Sequence, residues 1–303
     1  MKVTLPPALQ KGATIGIVCP SGFMDAAKAA ECIRVLQQWG FRVKTGATLG
    51  GNSATYFSGT DAERLQDLQQ MLDDNEVQAV LCGRGGYGMG RIIDRIDFKK
   101  FRKGPKWVIG YSDITIFLNH IFQNFNIAGL HAPMAAAFND GGYRNRYVRS
   151  LHQALTGEKA VYTVTRSRHN WQGTATGTLV GGNLSLLVNA IGTRSDVRTK
   201  GRILFLEDIG EQKYSIDRML HQLKRSGRLA ELAGLIFGGF TDIQDTTRPF
   251  GEEIHTILLD IVKEYDYPVC FDFPVSHDKA NYALKVGGNY RLTVGKKVQL
   301  EEI

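Results

Sequence analysis

With 303 residues, 43% of them hydrophobic, the chain is long enough for one large domain or two of ordinary size around well-packed cores, and no stretch approaches the roughly 20 apolar residues of a membrane span. Its formal charge of +7 favours anionic partners, but Lys and Arg are scattered singly apart from groups such as Lys99-Lys100 and Lys296-Lys297, without the stripe and interleaved aromatics of a nucleic-acid groove. Met1-Lys2-Val3-Thr4-Leu5-Pro6-Pro7 lacks the apolar segment of a secretory signal, and Cys19, Cys32, Cys82 and Cys270 lack C-x-x-C pairing and metal-ligand spacing, so a cytoplasmic protein with cysteines as buried small hydrophobes and no metal is expected.

Residues 14–18, Thr-Ile-Gly-Ile-Val, form the continuous apolar run of a strand buried on both faces, ending at Pro20-Ser21-Gly22. A helix over 25–39 closes at Gly40, and a short strand follows at 41–43. Thr60 and Glu63 have capping-box spacing ahead of a helix whose apolar face carries Leu65, Leu68 and Leu72. The strand 77–82 runs into Gly83-Arg84-Gly85-Gly86-Tyr87-Gly88, whose four glycines admit backbone conformations closed to other residues. Successive N–H groups of such a loop can face one anion; a tight turn before a helix around 90–96 explains the same glycines. Neither a Walker Lys-Ser/Thr nor G-x-G-x-x-G spacing is present, which argues against a nucleotide loop. With a fourth strand at 107–111, strand and helix alternate, implying a parallel sheet covered on both faces, with ligands outside the carboxyl ends of its strands.

At Trp107-Val108-Ile109-Gly110-Tyr111-Ser112-Asp113 an apolar run stops at a serine, after which Ile114, Phe117, Leu118, Ile121 and Phe122 share one helical face. A strand-to-helix turn at a serine lifts its hydroxyl out of the sheet, as in a nucleophile elbow. The elbow pattern is G-x-S-x-G; Gly110 supplies the first glycine, and Ile114 stands where the second would be. The competing reading is a helix N-cap. Since Ser112 and the glycine loop both follow strands, they should share a rim. The N–H of Asp113 and one from Gly85 or Gly86 are then a candidate oxyanion hole.

Past residue 160 the pattern loosens: 161–177 is rich in Thr, Arg and Gly with one alternating strand at 161–164, and reads as a linker between a domain over 1–160 and another over 178–303. The second part offers a helix to Ile191, a strand at 203–206, a helix with Ile216, Met219, Leu220 and Leu223 on one face, a strand at 235–237, a helix over 252–263 and a terminal hairpin over 290–300.

A serine nucleophile needs a base, usually histidine oriented by a carboxylate. Of seven histidines, His120, His152, His221 and His255 fall in predicted helices as surface or half-buried residues, and His169 falls in the linker. His131 and His277 each lie in a loop after a predicted strand, and His131 reads as a supporting or substrate-facing residue. Glu207-Asp208 closes the strand at 203–206; either a histidine needs that charge, or the strand reaches solvent there.

Taken together, Arg84-Gly85-Gly86-Tyr87-Gly88, Gly110-Tyr111-Ser112-Asp113, Gly181-Gly182-Asn183-Leu184, Leu206-Glu207-Asp208 and Phe273-Pro274 with His277 resemble the LD-carboxypeptidase family of serine peptidases, which groups murein tetrapeptide carboxypeptidases with microcin-immunity hydrolases. These stretches span nearly the whole chain. The resemblance implies a triad of Ser112, Glu207 and His277, an α/β fold with a flavodoxin-like, glutamine-amidotransferase-like N-terminal domain built on a parallel sheet, and a smaller C-terminal α/β domain with a hairpin. It further implies a homodimer without metal or cofactor. The family substrate is a peptidoglycan tetrapeptide cut between the L-centre of its diamino acid and terminal D-Ala, in murein recycling. Arg84 is then a candidate for the substrate carboxylate, or a structural arginine serving loop carbonyls, and Tyr87 and His131 join it as candidate substrate contacts. The microcin branch cleaves aminoacyl-nucleotide amides instead, and the compact length here favours the muropeptide branch. A reading of another class is a non-catalytic small-ligand-binding module in which Ser112 only caps a helix.

Overall fold

A computed structural model describes residues 3–51 and 53–303. The chain divides into two compact units, one of Met1–Glu158 with Tyr282–Gly287, the other of Lys159–Asn281 with Gly288–Ile303.

In the first unit, β1 (Thr14–Val18), β2 (Arg42–Thr45), β3 (Val77–Cys82), β4 (Trp107–Ile109) and β5 (Gly129–His131) pair in parallel in the order 2-1-3-4-5. That is the flavodoxin-like order, in which the chain reverses direction across the sheet between β1 and β3 and leaves a crevice at their carboxyl ends. β1 and β4 are buried along their whole length, as unbroken apolar runs require when helices cover both faces. Ile15, Ile17, Ala79, Leu81, Trp107, Ile109 and Leu130 form one core with Cys32, Val35 and Leu36 of the helix Ala30–Gln38. All four cysteines are free and buried, and burial pushes the Cys19 and Cys270 thiols up to about 12, which removes them as nucleophiles near neutral pH. The Thr60–Glu63 capping box is formed in both directions at the start of Asp61–Asp73.

In the second unit, β6 (Val161–Val164), β7 (Gly173–Asn183), β8 (Ile203–Ile209), β9 (Gly234–Thr241) and β10 (Val269–Cys270) are followed by a return to the first unit. There β11 (Leu284–Val286) adds an antiparallel sixth strand against β5, pairing Leu284 with His131 and Val286 with Gly129. The chain then goes back for β12 (Asn289–Val294) and β13 (Val298–Glu302), completing a seven-stranded sheet in the order 10-9-8-7-12-13-6. β7 is its pivot, parallel to β8 on one side and antiparallel to β12 on the other.

Two expectations about organisation are corrected. The segment 161–177 is not a linker between domains: besides the expected strand β6 it holds the first half of β7, and all of it lies in the second unit. Its exposed Thr174 and Thr176 alternate with Ala175, which is enough for an antiparallel strand with one solvated face but too little apolar signal to read as one. Nor does the C-terminal part form a single block, since Tyr282–Gly287 belongs to the first unit. Three apolar-polar-apolar residues carry no mark of the sheet they will join.

Candidate active site

In the first unit, Ser112 and the glycine loop lie at the carboxyl ends of β4 and β3, beside the end of β1. After β4, Tyr111 is still extended, Ser112 takes φ +62°, and a 3₁₀ turn over Ser112–Ile114 leads into the helix Thr115–Phe125. A non-glycine residue in the left-handed region costs about 1–3 kcal/mol and marks a place where the surroundings impose the conformation. A strained strand-to-helix turn of this shape is the geometry that a nucleophile elbow uses. The departure from G-x-S-x-G is accommodated locally: Ile114 is fully buried, and a Cβ on Gly110 would lie 2.9 Å from its Cγ1.

The glycine loop lies directly against the serine. A Cβ on Gly85 would stand 2.7 Å from Ser112 Cβ and 2.9 Å from its Oγ, so only glycine fits there. Gly22, after β1, donates its N–H to the Gly85 carbonyl at 3.0 Å, and Gly86 has φ +99°. Asp113 was singled out in the sequence for its backbone N–H, which sits in the first turn where a helix has no carbonyl of its own to offer. Its side chain is an addition that sequence reasoning missed. Fully buried, its Oδ2 accepts from Ser21 Oγ at 2.6 Å and from Met89 N–H at 2.6 Å. Burial pushes this carboxyl up, while the bonds from Ser21 and Met89 and the charge of Arg64 pull it down. The other named residues of the first unit divide. Arg84 is exposed and donates to the Phe23 carbonyl at 2.6 Å, a loop-bracing role. Tyr87 is 52% exposed beside Phe57. His131 ends β5 fully buried, with its ring 5.8 Å from that of Tyr111.

The second unit holds a carboxylate–imidazole pair. β8 does not stop at Leu206 but continues through Glu207 and Asp208 to Ile209, with both carboxylates buried, so the strand does not reach solvent there. Glu207 Oε2 lies 2.6 Å from His277 Nδ1. Burial alone would lower the His277 pKa, but the hydrogen bond and charge of Glu207, with Asp208 and Asp278 further off, outweigh it and hold the imidazole above its usual value. Asp208 points to the other face, as strand geometry demands. There it accepts from Asn183 Nδ2 at 2.7 Å, Ile209 N–H at 2.9 Å and Ser185 N–H at 2.9 Å. Burial pushes its pKa up to about 6 despite these donors.

What brings His277 to Glu207 is a pair of glycines on β9 that the sequence reading passed over. A Cβ on Gly238 would sit 2.1 Å from the Val275 carbonyl oxygen, and one on Gly239 2.5 Å from Ser276 Cβ. Their absence lets Gly239 N–H bond Val275 O at 3.0 Å, while Ser276 Oγ accepts from Asp278 N–H at 3.0 Å and shapes the bend at His277. Among the other histidines, His120 departs from expectation. It is fully buried, stacked 5.3 Å from Phe98, because its helix is covered on nearly all sides. His169 and His255 stack at 4.7 Å, with His255 paired to Asp272. Among the described residues, no group of three or more His, Cys, Asp and Glu side chains could hold a metal ion, and no helix is long and apolar enough to cross a membrane.

Comparison with known proteins bears on both units. Residues 15–132 match the model of the LD-carboxypeptidase N-terminal domain and residues 176–292 that of the LD-carboxypeptidase C-terminal domain. The chain is 37% identical over 302 residues to a probable murein peptide carboxypeptidase of Bacillus subtilis, covering 98% of this chain and 94% of that one. A crystal structure of muramoyltetrapeptide carboxypeptidase from Oxalobacter formigenes superposes with a TM-score of 0.85 at 28% identity, over 95% of this chain and 98% of that one. The microcin C7 self-immunity protein MccF, solved in complex with aspartyl sulfamoyl adenosine, shares the fold at a TM-score of 0.86 and 21% identity, over 99% and 98% of the two chains. With the matched domains spanning Ser112, Glu207 and His277, the chain belongs to the LD-carboxypeptidase family of serine carboxypeptidases.

Proposed function

We propose that this enzyme releases D-Ala from murein tetrapeptides by cutting the amide after the L-centre of the diamino acid, with Ser112, His277 and Glu207 as its triad. The observation that carries the reading is the left-handed backbone of Ser112 at a strand-to-helix turn, a strain that a mere helix cap would not need. In the proposed reaction Ser112 Oγ attacks the L-residue carbonyl as His277 takes its proton. The imidazolium, stabilised by Glu207, then protonates the departing D-Ala amine, and water hydrolyses the acyl-enzyme by the same route. For the oxyanion we assign the N–H groups of Asp113 and Gly86. Gly86 is chosen over Gly85 because the Gly85 carbonyl is held by Gly22, which fixes the orientation of the Gly85–Gly86 peptide and turns the Gly86 N–H away from Gly22.

The names of the Bacillus and Oxalobacter relatives support the substrate class. The test is to incubate purified protein with a muropeptide tetrapeptide and follow its conversion to tripeptide and free D-Ala by mass spectrometry. Stoichiometric D-Ala release is expected. An intact tetrapeptide alongside hydrolysis of an aminoacyl sulfamoyl adenosine would transfer the protein to the microcin-immunity reading, and inertness towards both would favour a binding module.

A further inference from the structure

The glycine loop is flexible by composition, yet beyond the Arg84 brace its backbone is pinned. The Gly85 carbonyl takes the Gly22 N–H at 3.0 Å, the Gly88 carbonyl takes Arg64 Nη1 at 3.1 Å, and the N–H of Met89, which opens the next helix, donates to Asp113 Oδ2 at 2.6 Å. The same Oδ2 accepts from Ser21 Oγ at 2.6 Å. A single carboxylate oxygen therefore joins the residue before Gly22, the end of the glycine loop, and the residue after the serine. Arg64, fully buried, donates to both the Gly88 carbonyl and that of Pro20, so it too spans these two loops.

Such an arrangement is costly. A buried carboxylate pays desolvation that its hydrogen bonds only partly return. Here Oδ1 has no hydrogen-bond partner among the described residues. Oδ2 bonds Ser21 Oγ and the Met89 N–H, and between those two anchors the loop lies against Ser112 at Gly85. The carboxylate thus acts on the position of a backbone segment and not on the serine hydroxyl.

Resting on the serine-nucleophile reading above, we infer that the Asp113 side chain is a positioning residue whose Oδ2 sets the Gly85–Gly86 peptide at its working distance from Ser112. Asp113 then contributes twice to oxyanion stabilisation: its own N–H is one donor, and its carboxylate places the other. A misplacement of 1 Å can cost about 100-fold in rate, which sets the scale of the expected effect.

The test compares kcat and KM for D-Ala release from a tetrapeptide in wild type, Ser112→Ala, Asp113→Ala, Asp113→Asn and Ser21→Ala, with thermal melts to score folding. Asp113→Ala should lower kcat by about 100-fold with KM within about threefold of wild type, because the lost interaction serves the transition state and not substrate binding. Asp113→Asn keeps a carbonyl oxygen able to accept both bonds and should recover kcat to within about tenfold, at a cost in stability from an amide placed where Oδ1 now lies. A folded Asp113→Ala with kcat near wild type, or a change confined to KM, would overturn the inference. Should Asp113→Ala not fold, Ser21→Ala decides: a fall in kcat of about tenfold supports the clamp, and an unchanged kcat overturns it. Turnover surviving in Ser112→Ala would overturn the serine reading itself and the clamp with it. An inert Ser112→Ala beside a fully active Asp113→Ala would overturn the clamp alone.

Discussion

At the scale of single residues the site is organised by groups held against their own preferences. Ser112 holds a backbone angle that glycine would take freely. Ser112→Gly should therefore abolish turnover yet raise unfolding stability in urea by about 1 kcal/mol, the relief of strain less the extra freedom of glycine in the unfolded chain. A less stable Ser112→Gly protein would mean that the turn stores no strain. Glu207 and Asp208 make a sharper pair. Their opposite orientations are legible from the two-residue period of a strand, but their burial is not, because their partners lie far along the chain in His277, Asn183 and Ser185. Glu207→Gln should lower kcat by about 10⁴, by analogy with the aspartate-to-asparagine change in a serine-protease triad, and Asp208→Asn much less. The acid limb of the rate gives an independent check. Glu207 is among the causes holding the His277 pKa up, and burial opposes it, so the residual activity of Glu207→Gln should titrate at lower pH than that of wild type. A limb that stays in place would detach Glu207 from the base. Asp208 carries a stability signature instead. Its pKa rises on folding from 3.8 to about 6, so the folded state binds the extra proton and stability falls as pH climbs through that interval. Asp208→Asn should flatten that slope relative to wild type.

At the scale of elements, strands β1, β3 and β8 and the helices Asp61–Asp73 and Lys213–Arg225 were legible because their apolar residues follow the periods that burial imposes. The glycine loop was legible too, since four glycines in six residues advertise a special backbone. The Gly238-Gly239 pair was not. Its purpose lies in the approach of the segment 273–277, a long-range distance that no local pattern encodes. The consequence is testable. Gly238→Ala puts a methyl 2.1 Å from the Val275 oxygen, and the loop carrying His277 has to move. We expect kcat to fall by about 100-fold and stability by roughly 1–3 kcal/mol. Gly104→Ala serves as the control, since a Cβ there meets nothing within 4 Å, and it should leave kcat unchanged. Equal behaviour of the two variants would remove the steric argument for β9.

At the scale of the molecule, the alternation of strand and helix revealed the doubly wound sheet, and the motif set reached both matched domains. What stayed hidden was the path of the chain after β10. Leu284–Val286 contributes only three residues, yet all three are buried in the first unit, where they cover the edge of β5. Ala283 N–H bonds Ser150 Oγ at 2.9 Å, and the Tyr282 ring meets that of Tyr147 at 4.8 Å, so the segment is anchored to the helix Arg146–Leu155 before it reaches the sheet. The first unit is accordingly not a contiguous piece of sequence. A fragment of residues 1–158 would present the backbone of Gly129–His131 as an unpaired edge and expose apolar surface that Leu284 and Val286 now cover. Bare edges of this kind pair with one another. The fragment should express as aggregate or as soluble oligomers by size-exclusion chromatography. Joining residues 282–287 to it through a flexible linker should restore a cooperative thermal transition and reduce self-association. If the bare fragment melts cooperatively as a monomer, β11 is dispensable for the first unit, and its return crossing then needs another explanation than closing that edge.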